Sequence, residues 1–250
     1  MKISIITVVR NNSLSIKDAI ESVLSQTYND IEYIIIDGSS TDGTLEIIQG
    51  YAKHITKIVS EIDKGIYDAM NKGISLASGE IIGILNSDDV YFDENVIEEV
   101  IKAFKEKQTD SLYGDLVYVE KNNLNKVVRY WKSSAFKIGS FAKGWHPPHP
   151  TFFTKKKLYE KYGLFDINLK ISADFDLMLR FLEKDKITTS YLPKILVKMR
   201  TGGESNKSLR NIITSNISIL KAFKKNNISV NNFMYLFYRL MPKVIQRIKK

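Results

Sequence analysis

The sequence predicts an α/β protein in which a mixed, mostly parallel sheet is flanked by helices and followed by a basic helical extension. Three observations predict it. Apolar strand-like runs alternate with helical periodicity over about the first 90 residues, each run ends in polar or acidic residues, and a hairpin pattern then replaces the alternation.

The first run, Ile3-Ser4-Ile5-Ile6-Thr7-Val8-Val9, reads as a buried strand because it is too short for a signal-peptide core and lacks a cleavage site. Beyond Asn11 and Asn12, Ser15 is expected to cap a helix carrying Ile16, Ala19, Ile20, Val23 and Leu24 on one face. Tyr33-Ile34-Ile35-Ile36 forms the second strand, ended by Asp37-Gly38. Leu45, Ile48 and Ala52 mark a second helix, and 55–59 a short third strand. Ile66, Ala69, Met70, Gly73, Ile74 and Ala77 make the next helical stripe, which Gly79 is expected to close before a strand over 81–85. That strand runs into Ser87-Asp88-Asp89.

After a helix near 95–107 the alternation stops. Segments 116–119 and 127–131, joined through Asn122-Asn123, predict an antiparallel hairpin. Pro147, Pro148 and Pro150 stiffen a loop holding two histidines. Leu177, Leu179, Phe181 and Leu182 then lie on a helix beginning around Asp174. The polar segment 201–208 reads as a linker, dividing a domain over 1–204 from a basic helical extension over 205–250.

Composition narrows the chemistry. With 250 residues and 44% hydrophobic content, one large core with appendages is expected. Without cysteine there is no disulfide, thiolate nucleophile or Cys-based zinc site, and His54, His146 and His149 show no zinc spacing. Any metal therefore rests on carboxylates. No apolar run approaches the roughly 18 residues of a membrane span, and a cytoplasmic location is the default reading. Glu204 is the last acidic residue, whereas ten of the 37 basic residues follow it, so the net charge of +9 belongs to the tail.

Four acidic positions carry the chemical expectations. Asp37, followed by Gly38-Ser39-Ser40-Thr41-Asp42-Gly43, offers a carboxylate to a pyrimidine N–H; the alternative is a polar turn capping the next helix. Adjacent Asp88 and Asp89 repel each other unless a cation lies between them, and Mg²⁺ or Mn²⁺ takes one or two carboxylates while filling its other positions with diphosphate oxygens. A solvated turn with Asp88 as a cap is the alternative. Asp174 in Ser172-Ala173-Asp174-Phe175-Asp176 is a candidate general base, with a helix cap as the competing reading. Asp176 is expected to face Arg180, four residues on. His149 is a candidate to orient phosphate or touch an acceptor, and Arg200 before Gly202-Gly203 to close over a diphosphate, although structural use competes for both.

As an ordered set, the strand Ser4 to Val9, Asp37-Gly38-Ser39-Ser40-Thr41-Asp42-Gly43, Ser60-Glu61-Ile62-Asp63-Lys64-Gly65-Ile66-Tyr67-Asp68-Ala69-Met70-Asn71-Lys72-Gly73 and Asn86-Ser87-Asp88-Asp89 resembles the family 2 glycosyltransferases of GT-A fold, of the bacterial polysaccharide type. The resemblance covers about residues 1–200. It implies a metal-dependent, inverting hexosyl- or N-acetylhexosaminyl-transferase that moves a sugar from a UDP-sugar donor to a saccharide acceptor. It also implies a nucleotide-sugar-binding half over 1–110 and an acceptor-binding half over 111–204. Its donor site comprises Thr7, Val9, Asp37, Asp63, Asn71, Asp88 and Arg200, its metal ligands are Asp88 and Asp89, and its catalytic base is Asp174. Pro148-His149-Pro150-Thr151-Phe152-Phe153 resembles a segment that lines the acceptor or diphosphate region. Two departures stand out: Asn86 replaces the first Asp of an Asp-x-Asp motif, and Ala173 replaces the Glu before the base.

Three other classes fit less well. A dinucleotide oxidoreductase needs Gly-x-Gly-x-x-Gly where Arg10-Asn11-Asn12 stands. A sugar-phosphate nucleotidyltransferase needs a glycine-rich basic loop near its start, and a nucleic-acid-binding module is suggested by the tail charge alone, so no nucleic-acid partner is expected. The tail's basic residues, interleaved with Phe233, Met234, Leu236, Phe237, Leu240, Met241, Val244, Ile245 and Ile248, instead suggest peripheral membrane association at the inner face and a lipid-linked acceptor. Packing of the same helices against the catalytic domain is the alternative.

Overall fold

Seven consecutive residues of β1 (Ile3–Val9) are buried on both faces, which places this strand inside the sheet between β2 (Ile31–Asp37) and β4 (Ile81–Ile84). The structure, a computed structural model, describes residues 1–202, 209–231, 234 and 235. Both pairings are parallel, and β3 (Lys57–Ser60) continues the parallel set beyond β2. A near-continuous apolar run is what such double burial demands.

Outside this parallel half the direction changes. β8 (Phe153–Lys155) runs antiparallel between β4 and β6 (Ser111–Glu120), β9 (Thr189–Arg200) lies parallel to β6, and β5 (Val90–Tyr91) is antiparallel to β9. The spatial order is β3-β2-β1-β4-β8-β6-β9-β5, with β7 (Asn123–Trp131) hairpinned onto β6.

Alternation along β1 divides the core in two. Ile3, Ile5 and Val9 meet α1 (Ile16–Leu24) and α4 (Val96–Lys107) through Ile16, Ile20, Ile97, Val100 and Phe104. Ile6 and Val8 meet α3 (Ile66–Leu76) and α6 (Ala173–Leu179) through Ala69, Met70, Ile74, Leu177 and Met178. Each fully buried isoleucine contributes about 1.5–3 kcal/mol, so this two-sided burial dominates local propensity. A Cβ on Gly73 would come within 2.4 Å of Ile6 Cγ2. Glycine at that position lets α3 sit directly on β1.

The described part of the basic extension is a helix, α7 (Leu209–Lys225), whose Ile219, Ala222 and Phe223 join the α6 core, as does Tyr235. Residues 203–208 of the linker expected over 201–208, and the apolar tail positions Phe233, Leu236, Phe237, Leu240, Met241, Val244, Ile245 and Ile248, lie outside the described residues. Among the described residues no helix is long and apolar enough to cross a membrane.

Three local expectations change. Ser15 occupies the N-cap position of α1 but makes no side-chain cap bond; its N–H instead joins the loop at Asn12. Gly79 does not end α3 by a left-handed turn. A Cβ there would lie 2.6 Å from the Ser4 nitrogen, so its role is close approach of two chains. Asp176 faces Asn226 at 2.8 Å and Lys225 at 3.3 Å, while Arg180 donates to the carbonyls of Tyr162 and Leu164. Helix packing brings α7 to Asp176 and turns Arg180 toward the α5 (Lys156–Tyr162) end.

The N-terminal edge of the sheet is tied together by Glu32, buried to 3% exposure. Burial pushes its carboxyl up, but the Ser4 hydroxyl, the Ser78 N–H and hydroxyl and the Lys2 charge outweigh that and bring it down from 4.5 to about 2. A folded-state value below the unfolded one means stability that is present above about pH 4.5 and lost as pH falls toward 2. Glu32→Gln is therefore expected to lower unfolding free energy at pH 7 by on the order of 2 kcal/mol. Chemical denaturation from pH 7 down to pH 2 should show the gap between the two proteins closing.

Candidate active site

The C-terminal edges of β1, β2 and β4 carry the polar segments that the sequence singles out, at the edge where open α/β sheets bind ligands. Side chains stitch these loops together. Asn11 accepts from the Thr41 N–H and its own N–H donates to the Ser40 hydroxyl; Asn12 binds Thr44 through its N–H and Ser87 through its amide. Asn11 and Ser39 adopt left-handed backbone, with φ of 50° and 55°. Such conformations persist where surrounding bonds over-determine them, as they do here.

Asp37 is fully buried and accepts from the Ser40 N–H and hydroxyl and the Ser60 hydroxyl, at 3.1, 2.5 and 2.6 Å. It organises the loop after β2. Asp63 lies against it on the far side of Gly38, where a Cβ would sit 3.1 Å from Asp63 Oδ2. Lys72 holds Asp63 at 2.5 Å and also pairs with Glu61 and Asp68.

Three further expected donor-site residues are engaged within the fold. Thr7 is fully buried and accepts the Tyr33 hydroxyl at 3.1 Å, because strand alternation turns it into the α1 side of the core. Asn71 clamps Phe165 by both backbone groups, at 2.9 and 3.0 Å. Val9, 5% exposed, packs in the core directly opposite Asp37.

The acidic turn after β4 is held from beneath. Arg200, 6% exposed at the end of β9, donates to the Asp88 carbonyl at 2.7 Å and the Lys121 carbonyl at 3.0 Å, and pairs with Asp18 on α1. Its guanidinium thus buttresses the turn that carries Asp88. Asp89 is buried, and burial first, then the Asp88 charge, push its carboxyl well up. Asn86 donates to Asp89 Oδ2 at 3.2 Å, while Asp89 Oδ1 and Asn86 Oδ1 are buried without a hydrogen-bond partner. Asp88 is half-buried.

These residues fit a hard divalent cation. Asp88 is the carboxylate open to an incoming ion, and a positive charge would satisfy the orphaned oxygen beside it and relieve the Asp88–Asp89 repulsion. Among the described residues no three acidic or histidine side chains gather around one point, so the remaining ligands of such an ion would be water or phosphate oxygens.

Asp174 stands in the first turn of α6, and the cap before it is Ser172 in left-handed conformation, φ 72°. The Ser172 hydroxyl lies 2.8 Å from that of Ser215 on α7, which steadies the turn. Asp174 is partly open, with 23% side-chain exposure, and its oxygens meet the Tyr67 hydroxyl at 3.0 Å and His149 Nδ1 at 3.3 Å. His149 opens a single tight turn (His149–Thr151) anchored by fully buried Thr151, which donates to the carbonyls of Gly114 and Pro148. Its Nε2 lies 3.5 Å from the Asn86 amide. Asp174, His149 and the acidic turn, separated by up to 88 positions, therefore share one site. Tyr67 escaped the sequence reading; its only signal was its place in the quoted 60–73 segment. A hollow lined by Asp110, Lys157, Lys161 and Thr188 lies at the opposite, N-terminal end of β6 and β9 and is separate from these groups.

Paired acids and a separate carboxylate thus stand together at the C-terminal edge of a mixed sheet. Residues 4–163 match Glycosyl transferase family 2, and the chain belongs to that family. Asp174 and Arg200 lie beyond the matched segment. The chain is 25% identical over 248 residues to a PGL/p-HBAD biosynthesis glycosyltransferase of Mycobacterium bovis, covering 98% of this chain and 92% of the relative. The fold is GT-A-like. It resembles S. aureus TarS 1-349 in complex with UDP-GlcNAc (TM-score 0.70, 18% identity, 96% of this chain and 71% of that one). It also resembles the mannosyltransferase PcManGT of Pyrobaculum calidifontis in complex with GDP-Man and Mn²⁺ (TM-score 0.67, 14% identity, 96% and 69%). Against longer TarS the chain covers 43% of the neighbour.

Arg200→Lys keeps the charge but cannot reach three partners with one ammonium. It is expected to destabilise the protein by about 1.5–3 kcal/mol, the range for hydrogen bonds to a charged group. Urea denaturation at pH 7 checks this, and a change within 0.5 kcal/mol, taken as about the effect of an ordinary surface substitution, would contradict the buttress.

Proposed function

We propose that this protein transfers a hexosyl or N-acetylhexosaminyl group from a UDP-sugar to a saccharide hydroxyl, with inversion and with Asp174 as the base. The observation that carries the reading is a partly open carboxylate, held by two side chains, facing the same edge as the acidic turn Asp88-Asp89. Residues 1–110 bind the donor in this reading and 111–204 receive the acceptor. Among the donor contacts, Asp63 and the loop braced by Asp37 recognise the uracil N–H, as a carboxylate acceptor suits a ring donor. TarS in complex with UDP-GlcNAc supports a uridine donor, and PcManGT with GDP-Man and Mn²⁺ supports a divalent ion.

The chemistry follows from placement. The acceptor hydroxyl gives its proton to Asp174 as its oxygen attacks the anomeric carbon, and the nucleoside diphosphate departs from the opposite face. Asp88 with Asp89 would hold Mn²⁺ or Mg²⁺, which would supply positive charge against the negative charge growing on that leaving group. Arg200 contributes by keeping the acidic turn in place, and His149 borders the acceptor beside the base.

A lipid-linked acceptor and peripheral membrane contact complete the reading. They are supported by the basic residues after Glu204 and by exposed Ile213 and Ile217, one turn apart on α7.

Asp174→Asn is expected to lose roughly two or more orders of magnitude in kcat while binding donor within a few-fold of the unaltered protein. Near-normal turnover would remove Asp174 from the base role. A thermal-shift screen of UDP- and GDP-sugars with Mn²⁺ should show stabilisation of about 2.7 kcal/mol at a hundredfold excess over Kd for a true donor. Asp88→Ala, or chelator, should abolish that shift; a shift that persists in chelator would contradict the metal. Sedimentation with anionic vesicles at low salt should pull down the full chain and release Ile213→Glu/Ile217→Glu, whereas a supernatant holding both proteins argues against membrane contact.

A further inference from the structure

We infer that Tyr67, His149 and Asn86 are positioning residues that fix the orientation and hydrogen bonding of Asp174, an inference that rests on the reading of Asp174 as the base. A carboxylate's final torsion is broad and two-fold, so a base in the first turn of a helix needs outside partners to aim it. Here each oxygen has one, and they come from different elements. Tyr67 on α3 donates to Oδ1 at 3.0 Å, and His149 Nδ1 lies 3.3 Å from Oδ2.

The tyrosine is itself immobilised. Its ring stacks on Phe165 at 5.6 Å and 24°, Phe165 is gripped by Asn71 one turn along α3, and Gly73 seats that helix against Ile6 of β1. Burial first, then the Asp174 charge, push the hydroxyl well above its ordinary range, so it remains a donor. Rigidity from the sheet thus reaches the carboxylate through one hydroxyl.

On the other side the partner of Asp174 depends on a tautomer. His149 Nε2 lies 3.5 Å from Asn86 Nδ2, and an amide nitrogen can only donate, so Nε2 accepts and the ring proton sits on Nδ1, toward Asp174. The same amide donates its other hydrogen to Asp89 at 3.2 Å. An aspartate at position 86 could donate to neither and would place another negative charge beside buried Asp89. Asparagine in place of the expected acid is therefore what allows the acidic turn to set the histidine, and the histidine to hold the base.

Steady-state kinetics on the full chain with metal and a UDP-sugar, read as UDP freed when the sugar passes to a saccharide acceptor, test the relay. Tyr67→Phe keeps the stacked ring and loses the hydroxyl; it is expected to lower kcat about tenfold, the cost of one such bond, with both KM values within twofold and Tm unchanged. His149→Ala should lower kcat further, and His149→Asn, whose amide offers a donor near the former Nδ1, should recover most of that loss. Asn86→Asp should lower kcat as well. In the Asp174→Asn background, Tyr67→Phe should have no added effect, because the two act through one group. Unchanged kcat in Tyr67→Phe, no recovery in His149→Asn, or a further tenfold loss on top of Asp174→Asn overturns the relay. Full turnover by Asp174→Asn alone overturns the base reading instead, and the relay falls with it.

Discussion

Burial of β1 on both faces is the constraint on which the rest of the structure depends. A strand with no solvated face must be flanked by other strands and covered by helices on either side, which forces the parallel β2-β1-β4 arrangement and aligns three C-terminal edges. Once those edges are level, the loops that leave them have nowhere to go but against one another. Their stitching, Asn11 to Ser40 and Thr41 and Asn12 to Ser87, follows from that proximity. The polar surface made there is a by-product of an apolar requirement.

The second half of the chain supplies what the first lacks. Its sheet changes direction at β8, and the chain returns with β9 beside β6, which carries Arg200 under the acidic turn and leaves α6 facing it. Each half alone holds an incomplete set of groups: Asp88, Asp89 and Tyr67 lie in the first, Asp174 and His149 in the second. α7 then closes the arrangement from outside, through Ser215 at the Ser172 turn and Asn226 at Asp176. The basic extension is in this part a brace for the helix that bears Asp174.

Electrostatics separate the two members of the acidic pair. Asp88 retains access to solvent, whereas Asp89 is buried, and burial and the Asp88 charge raise the cost of its own charge beyond what Asn86 and Arg200 offset. A buried carboxylate with one unpartnered oxygen is an unusual expense for a fold. Arg200 is too fully occupied by carbonyls and Asp18 to serve as a mobile clamp. Its value lies in keeping the turn's backbone still.

In the parallel half, near-continuous apolar runs set against a helical period of 3.6, with polar residues at every strand end, locate β1, β2, α3 and β4 in the sequence and single out Asp88 and Asp89, whereas Asp174 is singled out by the family resemblance. The side on which Thr7 lies is not legible, because a single polar residue in an apolar run does not reveal which face it takes, and helical spacing assigns Asp176 to Arg180 because it knows only its own helix. Tyr67 was invisible for the same reason, since its meaning lies 107 residues away in Asp174. Local pattern reports how a segment meets the core, so elements and their polar ends are legible in it. Which side chains from distant segments converge is decided by packing and sheet order, and only the tertiary structure brings Asn86, His149, Asp174 and Tyr67 into one line.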